Sequence, residues 1–470
     1  MRYNIMAAII RGKTILKKTN YQIDMCSGAI LPKLLAFALP MMATSVLQLM
    51  FSAADSIVVG RFAGEAQLAA VGSVGSLISL LTNLFLGLSV GTNVAAARAY
   101  GSGDEDGLSK TLHTSLALSL VIGLFLTISG LTLARRFLII MQTPEDVLPF
   151  AVIYLRIYFL GMIPMTVYNF MSAVLRAVGD TKRPLIFLTI SGVLNVILNV
   201  IFVALFNWGV AGVAISTIIT QALSAVLVLI CLSRESGGIR LDFRKLRFER
   251  EKVISIVSVG LPAGIQSSMY SISNVMIQAS INSFGKTVMA ANTAAVNFED
   301  MIYFTMNAVM QAVTSFTGQN MGKLDMKRVR RVQLIGQCVV VCVGVVMIAV
   351  FTLLAPELLG IYIKKDEVIS YGIERLKILL PLYFLCGVME VFIGGMQGMG
   401  HSLLPAIISL VGICAFRVVF LSFVFPLEAF HRVTYVYALY PATWIVTSAA
   451  EGICFALVYR NESRKIRRLT

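Results

Sequence analysis

The second half of the sequence repeats the first half. Leu39-Pro40 recurs as Leu261-Pro262, and nearly the same spacing relates many other identical residues. Such pairs include Ser45 and Ser267, Phe62 and Phe284, Ala69 and Ala291, Thr92 and Thr314, and Gly179 and Gly400. Both copies are apolar for most of their length. We therefore predict two similar helical bundles in a membrane, an arrangement that can open a central cleft to either side in turn.

The composition supports a membrane protein rather than a soluble one. The 470 residues are 57% hydrophobic and only 13% charged, whereas a soluble domain has roughly 25% charged residues. Twelve apolar segments can be drawn, at 34–60, 68–99, 111–134, 147–175, 185–206, 210–233, 253–283, 288–319, 331–354, 368–397, 405–425 and 436–459. The sequence predicts an all-α integral membrane protein with twelve transmembrane helices in two pseudo-symmetric six-helix bundles.

Basic residues are distributed unevenly between the two predicted sides of the membrane. The loops and tails of one side hold 28 of the 39 Lys and Arg residues, and those of the other side hold seven. By the positive-inside rule both termini are expected in the cytoplasm, with the chain crossing the inner or plasma membrane many times. The net charge of +15 does not favour nucleic-acid binding, because the basic residues form no single face.

The longest polar stretch coincides with the boundary between the two copies. The predicted organisation is a cytoplasmic N-terminal extension (1–33), an N-lobe (34–233), a cytoplasmic linker (234–252), a C-lobe (253–459) and a cytoplasmic tail (460–470). Within the extension we expect residues 1–24 to be disordered and without function. Six helices per lobe give both copies the same orientation, so their pseudo-twofold axis should lie along the membrane normal.

Asp55 is the first of five acidic residues within apolar segments that we consider as functional candidates. Carboxylates in a bilayer are costly and are functional candidates by default. Asp55 is a candidate proton or sodium acceptor, or else a structural hydrogen-bond partner of a neighbouring helix. Asn195 and Asn199 share one helical face and Thr217 lies in the next segment, so their oxygens could complete a hard-cation site or position a protonated acid. Polar pairs at this spacing otherwise hold helices together.

The other acidic residues are candidates for charge or substrate binding in the C-lobe. They are Glu299, Asp300, Glu390 and Glu451. Glu299 and Asp300 are adjacent and point about 100° apart on a helix, so at most one of them should face a central cavity well. Arg156 and Arg417 also lie within apolar segments, and each is expected to pair with a carboxylate or to extend towards the membrane surface.

No enzyme motif is convincing in this sequence. Gly101-Ser102-Gly103-Asp104 matches a protease pattern but is explained better by a glycine turn that ends a helix. The seven cysteines are odd in number and lack CxxC spacing, which favours free thiols. We expect no enzymatic activity, no cofactor and no structural metal. Transport would then use an ion gradient, and Pro40 and Pro262 are candidate hinges, although such prolines can be static kinks.

Three motifs resemble one transporter family. Asp55-Ser56-Ile57-Val58-Val59-Gly60-Arg61-Phe62 resembles the first-segment signature of the multidrug and toxin extrusion (MATE) family. Residues 174–184, with a degenerate second copy at 396–405, are similar to its turn between segments 4 and 5. Residues 316–322 are also similar to the family. Together the likeness covers about residues 30–460.

The resemblance implies two lobes around a cleft, and export of amphipathic, often cationic drugs or toxins in exchange for H⁺ or Na⁺. It is closest to the bacterial multidrug exporters. Asp55 matches the family's coupling carboxylate, which could bind Na⁺, and Asn195 and Thr217 match its polar partners. Asn199 departs from the Asp of many members, and Tyr270 lies near the position of an acid found in some sodium-coupled members.

One alternative and two further expectations accompany this interpretation. The alternative is a flippase for lipids or lipid-linked oligosaccharides in the same superfamily, whose cavity would need several inward Arg or Lys residues to bind phosphate. The further expectations are a monomer that contacts membrane lipid and small-molecule substrates rather than a macromolecular partner.

Overall fold

The computed structural model describes residues 21–141, 143–362 and 365–469, and the regular elements within these ranges are all helices. The N-lobe contains α1 (Ile30–Phe62), α2 (Glu65–Ser102), α3 (Glu105–Ile140), α4 (Leu148–Leu160), α5 (Met162–Ala177), α6 (Lys182–Leu205) and α7 (Gly209–Ser233). The C-lobe contains α8 (Arg250–Asn282), α9 (Lys286–Gly322), α10 (Met326–Leu353), α11 (Ala355–Tyr362), α12 (Asp366–Leu379), α13 (Tyr383–Gly398), α14 (Leu403–Val424) and α15 (Val433–Leu469). α6 and α14 contain π-helical turns, at Val200–Leu205 in α6 and at Leu410–Ala415 and Phe420–Val424 in α14.

These helices can account for the predicted spans. Within the described residues, nine helices or helix combinations are long and apolar enough to cross a membrane, and eleven if each of two bent pairs is one span. α9 corresponds to another predicted segment; it has 37 residues and contains Glu299 and Asp300, but it is not among the nine. The all-helical membrane architecture is confirmed, whereas the exact number of twelve spans stays a prediction.

The duplication is visible in how the helices begin and end. After α2, Gly103 adopts a left-handed conformation with φ of 75°, and Asp104 accepts a hydrogen bond from Gly107 N at 2.8 Å to cap α3. At the equivalent place in the C-lobe, Asp325 accepts from Arg328 N at 2.9 Å and caps α10. The glycine motif at 101–104 is therefore the helix-ending turn that the sequence favoured.

Each lobe has its own apolar core, and α1 contributes to both lobes. Val58 and Val59, near the end of α1, belong to the N-lobe core. Leu34 and Phe37, near its start, belong to the C-lobe core, where the Phe37 ring meets Phe316 edge-on at 6.0 Å. α1 thus crosses from one lobe to the other.

The lobes are in close contact along the C-terminal half of α2. We call this the linker side, because residues 234–249 lie there; the distribution of basic residues predicts it to be cytoplasmic. A Cβ at Gly87 would overlap the backbone of Gly264, and one at Gly91 would overlap the carbonyl of Ile256. Near the other end of α2, Gly75 has no such neighbour within 4 Å. The lobes are therefore closed together on the linker side and diverge towards the other.

Residues 21–29 lie against this closed side. Ile23 N donates to Gly179 O of the N-lobe at 3.3 Å. Arg328 of the C-lobe donates to the carbonyls of Met25 at 3.0 Å and Ser27 at 2.7 Å. The expectation of disorder up to residue 24 is thus wrong for residues 21–24, because backbone groups of the segment are hydrogen-bonded to both lobes. Residues 1–20 lie outside the described residues.

Candidate functional site

The N-lobe brings Asp55 together with a group of neutral polar side chains. Asn199 Nδ2 donates both to Asp55 Oδ1 and to Asn195 Oδ1, the latter at 3.2 Å. Ser216 Oγ in turn donates to Asn199 Oδ1. Asn195, Asn199 and Ser216 are buried, and Asp55 is partly buried on α1. Three helices therefore meet at one carboxylate.

The α7 hydroxyl that contacts Asn199 belongs to Ser216 rather than to Thr217. The Thr217 hydroxyl donates to Val213 O of its own helix at 2.9 Å and, among the described residues, makes no hydrogen bond to this group. Adjacent residues on a helix point about 100° apart, so only one of the two can face Asn199. The α7 residue that contacts Asn199 is thus Ser216, one residue before Thr217, and a role of Thr217 in ion coupling stays a prediction.

Asp55 has no positive partner. Among the described residues, no Lys, Arg or His nitrogen lies within 4.0 Å of its carboxylate. The surrounding amide and hydroxyl oxygens suit a proton or a hard cation. In the same ranges, no group of three or more His, Cys, Asp and Glu residues could hold a metal. When one monovalent cation binds here, it neutralises the negative charge of the Asp55 carboxylate.

Glu299 in the C-lobe is neutralised by a cation. Arg375 donates to its two carboxylate oxygens at 2.7 and 2.8 Å. Arg375 is 1% exposed and lies near the rings of Tyr437 and Tyr440, at 5.2 and 5.1 Å from their centroids. A buried, bidentate ion pair of this kind holds helices α9 and α12 together. The neighbouring Asp300 is partly exposed and, among the described residues, has no ion-pair partner.

Glu451 is connected to the central region through hydroxyl and amide groups. Ser409 Oγ donates to Glu451 Oε1 at 3.2 Å, and Gln266 Nε2 donates to Ser409 Oγ at 2.8 Å. Gln266 also donates to the Tyr270 hydroxyl at 3.2 Å. The second carboxylate oxygen of Glu451 has no partner among the described residues. This chain links a buried acid to residues that line the cavity.

Arg417 neither pairs with a carboxylate nor extends towards water. It donates to Asn274 at 3.4 Å and Thr443 at 3.2 Å, and its guanidinium lies 4.3 Å from the centroid of the Tyr440 ring. Because it is buried among neutral partners, it places a fixed positive charge in the C-lobe. Arg156, by contrast, is exposed on α4.

A central cavity of about 310 Å³ lies between the lobes. Most of its lining side chains are amides and hydroxyls. They include Thr44, Ser45, Gln48, Asn83, Asn93, Asn169, Thr181, Gln266, Ser267, Asn307, Gln311, Thr314, Ser315 and Gln397. Three tyrosines contribute as well, and the charged lining residues are Arg176 and Glu390. Glu390 is the one C-lobe acidic candidate that borders the cavity. Asp55, Glu299, Asp300 and Glu451 do not border it.

α1 joins the Asp55 site to this cavity. Gln48 lines the cavity and lies seven residues before Asp55, a separation of about 10 Å along a helix. The candidate hinges lie in the same region: Pro40 is inside α1 and Pro262 is inside α8, and the residues that follow them, Met41 and Ala263, line the cavity. A movement of α1 would therefore reach both sites.

Comparison with known proteins identifies the family. The MatE family profile matches residues 40–201 and again residues 262–422. The two matches begin at Pro40 and Pro262, the same pair of prolines that opens the sequence repeat. The chain belongs to the MatE family. The predicted family resemblance is thereby confirmed, and so is the assignment to a multi-pass membrane transporter family.

Two relatives of this MatE chain are both named as probable multidrug resistance proteins. It is 28% identical over 395 residues to the probable multidrug resistance protein YpnP of Bacillus subtilis (strain 168), covering 84% of this chain and 88% of that protein. It is 26% identical over 418 residues to the probable multidrug resistance protein YoeA of the same strain, covering 87% and 90%. Both relatives are thus named as probable multidrug resistance proteins.

A solved structure supports the fold. It is described as the outward-facing conformation of a multidrug resistance MATE family transporter of the MOP superfamily. The TM-score is 0.87 at 22% identity, over 95% of this chain and 100% of the other. At this identity the likeness establishes the two-lobed fold alone.

Proposed function

We propose that this protein is an antiporter in the bacterial inner or plasma membrane that exports amphipathic, often cationic drugs or toxins in exchange for H⁺ or Na⁺. The observation that carries the proposal is that Asp55, on the helix that also lines the cavity, has no positive partner within 4.0 Å among the described residues. An ion that binds one conformation better than the other shifts the balance between them. The names of the relatives support the substrate class.

The geometry suggests an order of events. The described conformation is closed on the linker side, where Gly87 and Gly91 of α2 meet α8. A cation that binds Asp55 removes a negative charge beside Asn199 and changes the packing of α1 against α6. The change reaches the cavity through α1, the compound leaves from the open side, and the lobes reload after they open on the linker side. The protein needs no partner chain in this cycle and is proposed to act as a monomer with both termini in the cytoplasm.

The flippase alternative receives less support. The phosphates of a lipid-linked oligosaccharide call for several cationic side chains. Arg176 is the one Arg or Lys among the described residues that line the cavity. A small molecule therefore fits the lining better than a polyphosphate headgroup.

Transport in reconstituted vesicles tests the proposal. A pH gradient and a Na⁺ gradient are imposed separately while efflux of a cationic dye is followed. We expect one gradient to drive efflux in the wild type and Asp55→Asn to abolish that drive. Thr217→Ala is a suitable control, because its hydroxyl bonds only within its own helix. Equal efflux by wild type and Asp55→Asn under both gradients would contradict the proposal.

A further inference from the structure

We propose that the linker between the two lobes carries a binding surface for anionic phospholipids of the membrane leaflet on the linker side. The surface consists of the exposed side chains of residues 240–250, and we call it the linker face. This inference goes beyond the proposed function, because it concerns the surrounding membrane rather than the exported compound or the coupling ion. The position of the linker, its exposed apolar side chains and its charge each support it.

The linker lies at the depth of a membrane surface. It joins α7 to α8, and both helices are long and apolar enough to span a bilayer. Because α7 ends at Ser233 and α8 begins at Arg250, the residues between them lie where two spans leave the hydrocarbon core. The linker also stays close to these helix ends, since Leu241 N donates to Leu232 O of α7 at 3.0 Å.

Contacts with α3 fix the linker on the N-lobe. Leu241 is 3% exposed and belongs to the N-lobe core. Asp242 N donates to His113 Nε2 of α3 at 3.1 Å. Glu249 N donates to Thr114 Oγ1 of the same helix at 3.3 Å. The linker is therefore held at both ends of the linker face, and its other side chains remain exposed at the level of the helix ends.

Three large apolar side chains of the linker face are exposed. Phe243 is 60% exposed, Phe248 is 55% exposed and Leu246 is 37% exposed. Three such side chains within six positions are unfavourable in water, because apolar surface gains free energy when it leaves water. At the boundary between lipid headgroups and acyl chains they can enter the apolar layer, as the apolar side of an interfacial segment does.

Cations surround these apolar side chains. The exposed Lys and Arg residues of the linker face are Arg240, Arg244, Lys245, Arg247 and Arg250. Its two acidic residues already have partners within the linker. Asp242 Oδ1 accepts a hydrogen bond from Arg244 N at 3.0 Å, and Glu249 pairs with Arg247 at 2.6 Å. Clusters of Lys and Arg next to a membrane span attract anionic headgroups, so the charge of the linker face selects for anionic lipids.

The end of α15 shows that charge alone does not define such a surface. This tail has as many exposed cations, at Arg460, Arg464, Lys465, Arg467 and Arg468. Among the described residues 460–468, however, no large apolar side chain is exposed. The tail can be attracted to a negative membrane surface but has no apolar group to insert into it. The linker face combines both properties.

Quenching of an introduced indole by brominated lipids tests the linker face. Full-length protein with Trp208→Phe, Trp444→Phe and Phe248→Trp is reconstituted at pH 7 in vesicles of phosphatidylcholine and phosphatidylglycerol. Only the phosphatidylglycerol is brominated in one sample, and an equal amount of phosphatidylcholine is brominated in the other, so the surface charge is the same. We expect brominated phosphatidylglycerol to quench the indole at least about threefold more strongly, because several cations act on its headgroup. Phe243→Trp in the same background is measured in parallel as a second position.

Neutralising the linker face should abolish this preference. In Arg240→Gln/Arg244→Gln/Lys245→Gln the ratio of quenching by the two lipids should fall close to one. These side chains are suited to the test because, among the described residues, none of them has a carboxylate within 4.0 Å. High salt should also lower the ratio in the parent protein, since it screens exposed charges.

The matched control removes the same charge from the tail. Arg464→Gln/Arg467→Gln/Arg468→Gln should keep the parent ratio, because these exposed residues lie outside the linker face. An equal fall of the ratio in this control would overturn the inference, because total charge rather than the linker face would then govern the preference.

Three further results would overturn the inference. One is equal quenching by the two brominated lipids, and another is an unchanged ratio in the linker variant. The third is the absence of quenching by either lipid at both indole positions. If the indole emission then shifts on addition of polyglutamate, the surface would be assigned to a soluble acidic partner instead of the membrane.

Discussion

The two lobes share a fold but differ at the position of the proposed coupling acid. Asp55 lies in the N-lobe among amides and hydroxyls. At the spacing that relates the two copies, its C-lobe counterpart is Ile277, which is 1% exposed within an apolar core. Arg417 lies within one residue of the C-lobe position that corresponds to Asn195. The C-lobe thus has an apolar side chain where the N-lobe has an acid, with a cation nearby.

This difference gives the two lobes different proposed roles. In the N-lobe, no Lys, Arg or His nitrogen of the described residues lies within 4.0 Å of the Asp55 carboxylate, so a bound cation would change the net charge of this site. In the C-lobe, Glu299 is paired with Arg375 and Arg417 lies over the Tyr440 ring. These interactions stabilise the packing of the C-lobe helices whether or not an ion is bound. The two lobes therefore share a scaffold, while the proposed ion sensor lies in the N-lobe.

The ion pair of the C-lobe can be tested by removing one of its partners. Glu299→Gln should destabilise the protein by about 3–5 kcal/mol, because Arg375 is left as a buried unpaired charge. The apparent thermal midpoint of the purified protein should fall accordingly. In the double variant Glu299→Gln/Arg375→Gln, part of the loss should be recovered. A single variant as stable as the wild type would show that the pair does not hold the C-lobe.

Closure between the lobes can be tested at a glycine of the N-lobe. A methyl group in Gly91→Ala would overlap Ile256 O of α8. Such overpacking costs about 1–3 kcal/mol, so the fraction of protein molecules that are open on the linker side should rise about tenfold. The readout is thiol labelling of Cys26 in a variant whose other cysteines are replaced. Gly75→Ala, which meets no heavy atom within 4 Å, should label like its parent. Equal labelling of the two alanine variants would argue against close packing at Gly91.

Ser216 sharpens the description of the N-lobe site. Ser216→Ala removes the hydroxyl donor to Asn199, and a lost hydrogen bond of about 1 kcal/mol should lower ion-driven efflux about fivefold. Thr217→Ala is the neighbouring control and should have a smaller effect. The comparison is made on initial rates in vesicles at one protein density. A larger loss from Thr217→Ala would return the role to the residue that the sequence favoured.

The smallest expected effect concerns the segment before α1. Ser27 Oγ donates to the Asp24 carboxylate, and this bond lowers the pKa of Asp24 below its usual value. Because the folded pKa is depressed, the stabilisation is complete above the unfolded pKa and is lost as pH falls through the folded pKa. Asp24→Asn should therefore raise labelling of Cys26 at neutral pH by only about twofold, since exposed charges contribute little. The difference from wild type should shrink below about pH 4; a difference that grows there would contradict this sign.

Much of the fold followed from the sequence, because apolar length and repeat spacing are local signals. The end of α2 could be placed because Gly103 and Asp104 form a turn with its own signature. The pairing of Asp55 with Asn199 was accessible for a similar reason, since Asn195 and Asn199 lie one helical turn apart in an otherwise apolar segment.

Other features depend on tertiary contacts that no local pattern reports. Arg375 lies 76 residues from Glu299 in the sequence, so their pairing appears only after α9 and α12 pack. Arg176 belongs to a turn motif, and nothing in that motif indicates that its side chain borders a cavity. The choice between Ser216 and Thr217 depends on helical phase, which apolar periodicity defines only to about one residue. A polar segment such as 21–29 gave no sign of its contacts with both lobes.

Ion coupling is proposed to reside in the N-lobe. The direct measurement is gradient-driven efflux in vesicles for Asp55→Asn, Glu390→Gln and Glu451→Gln, each purified and matched for protein content. We predict that Asp55→Asn removes the dependence on the driving gradient, while Glu390→Gln and Glu451→Gln change rates but keep that dependence. Coupling that survives in Asp55→Asn and disappears in Glu390→Gln or Glu451→Gln would contradict the account.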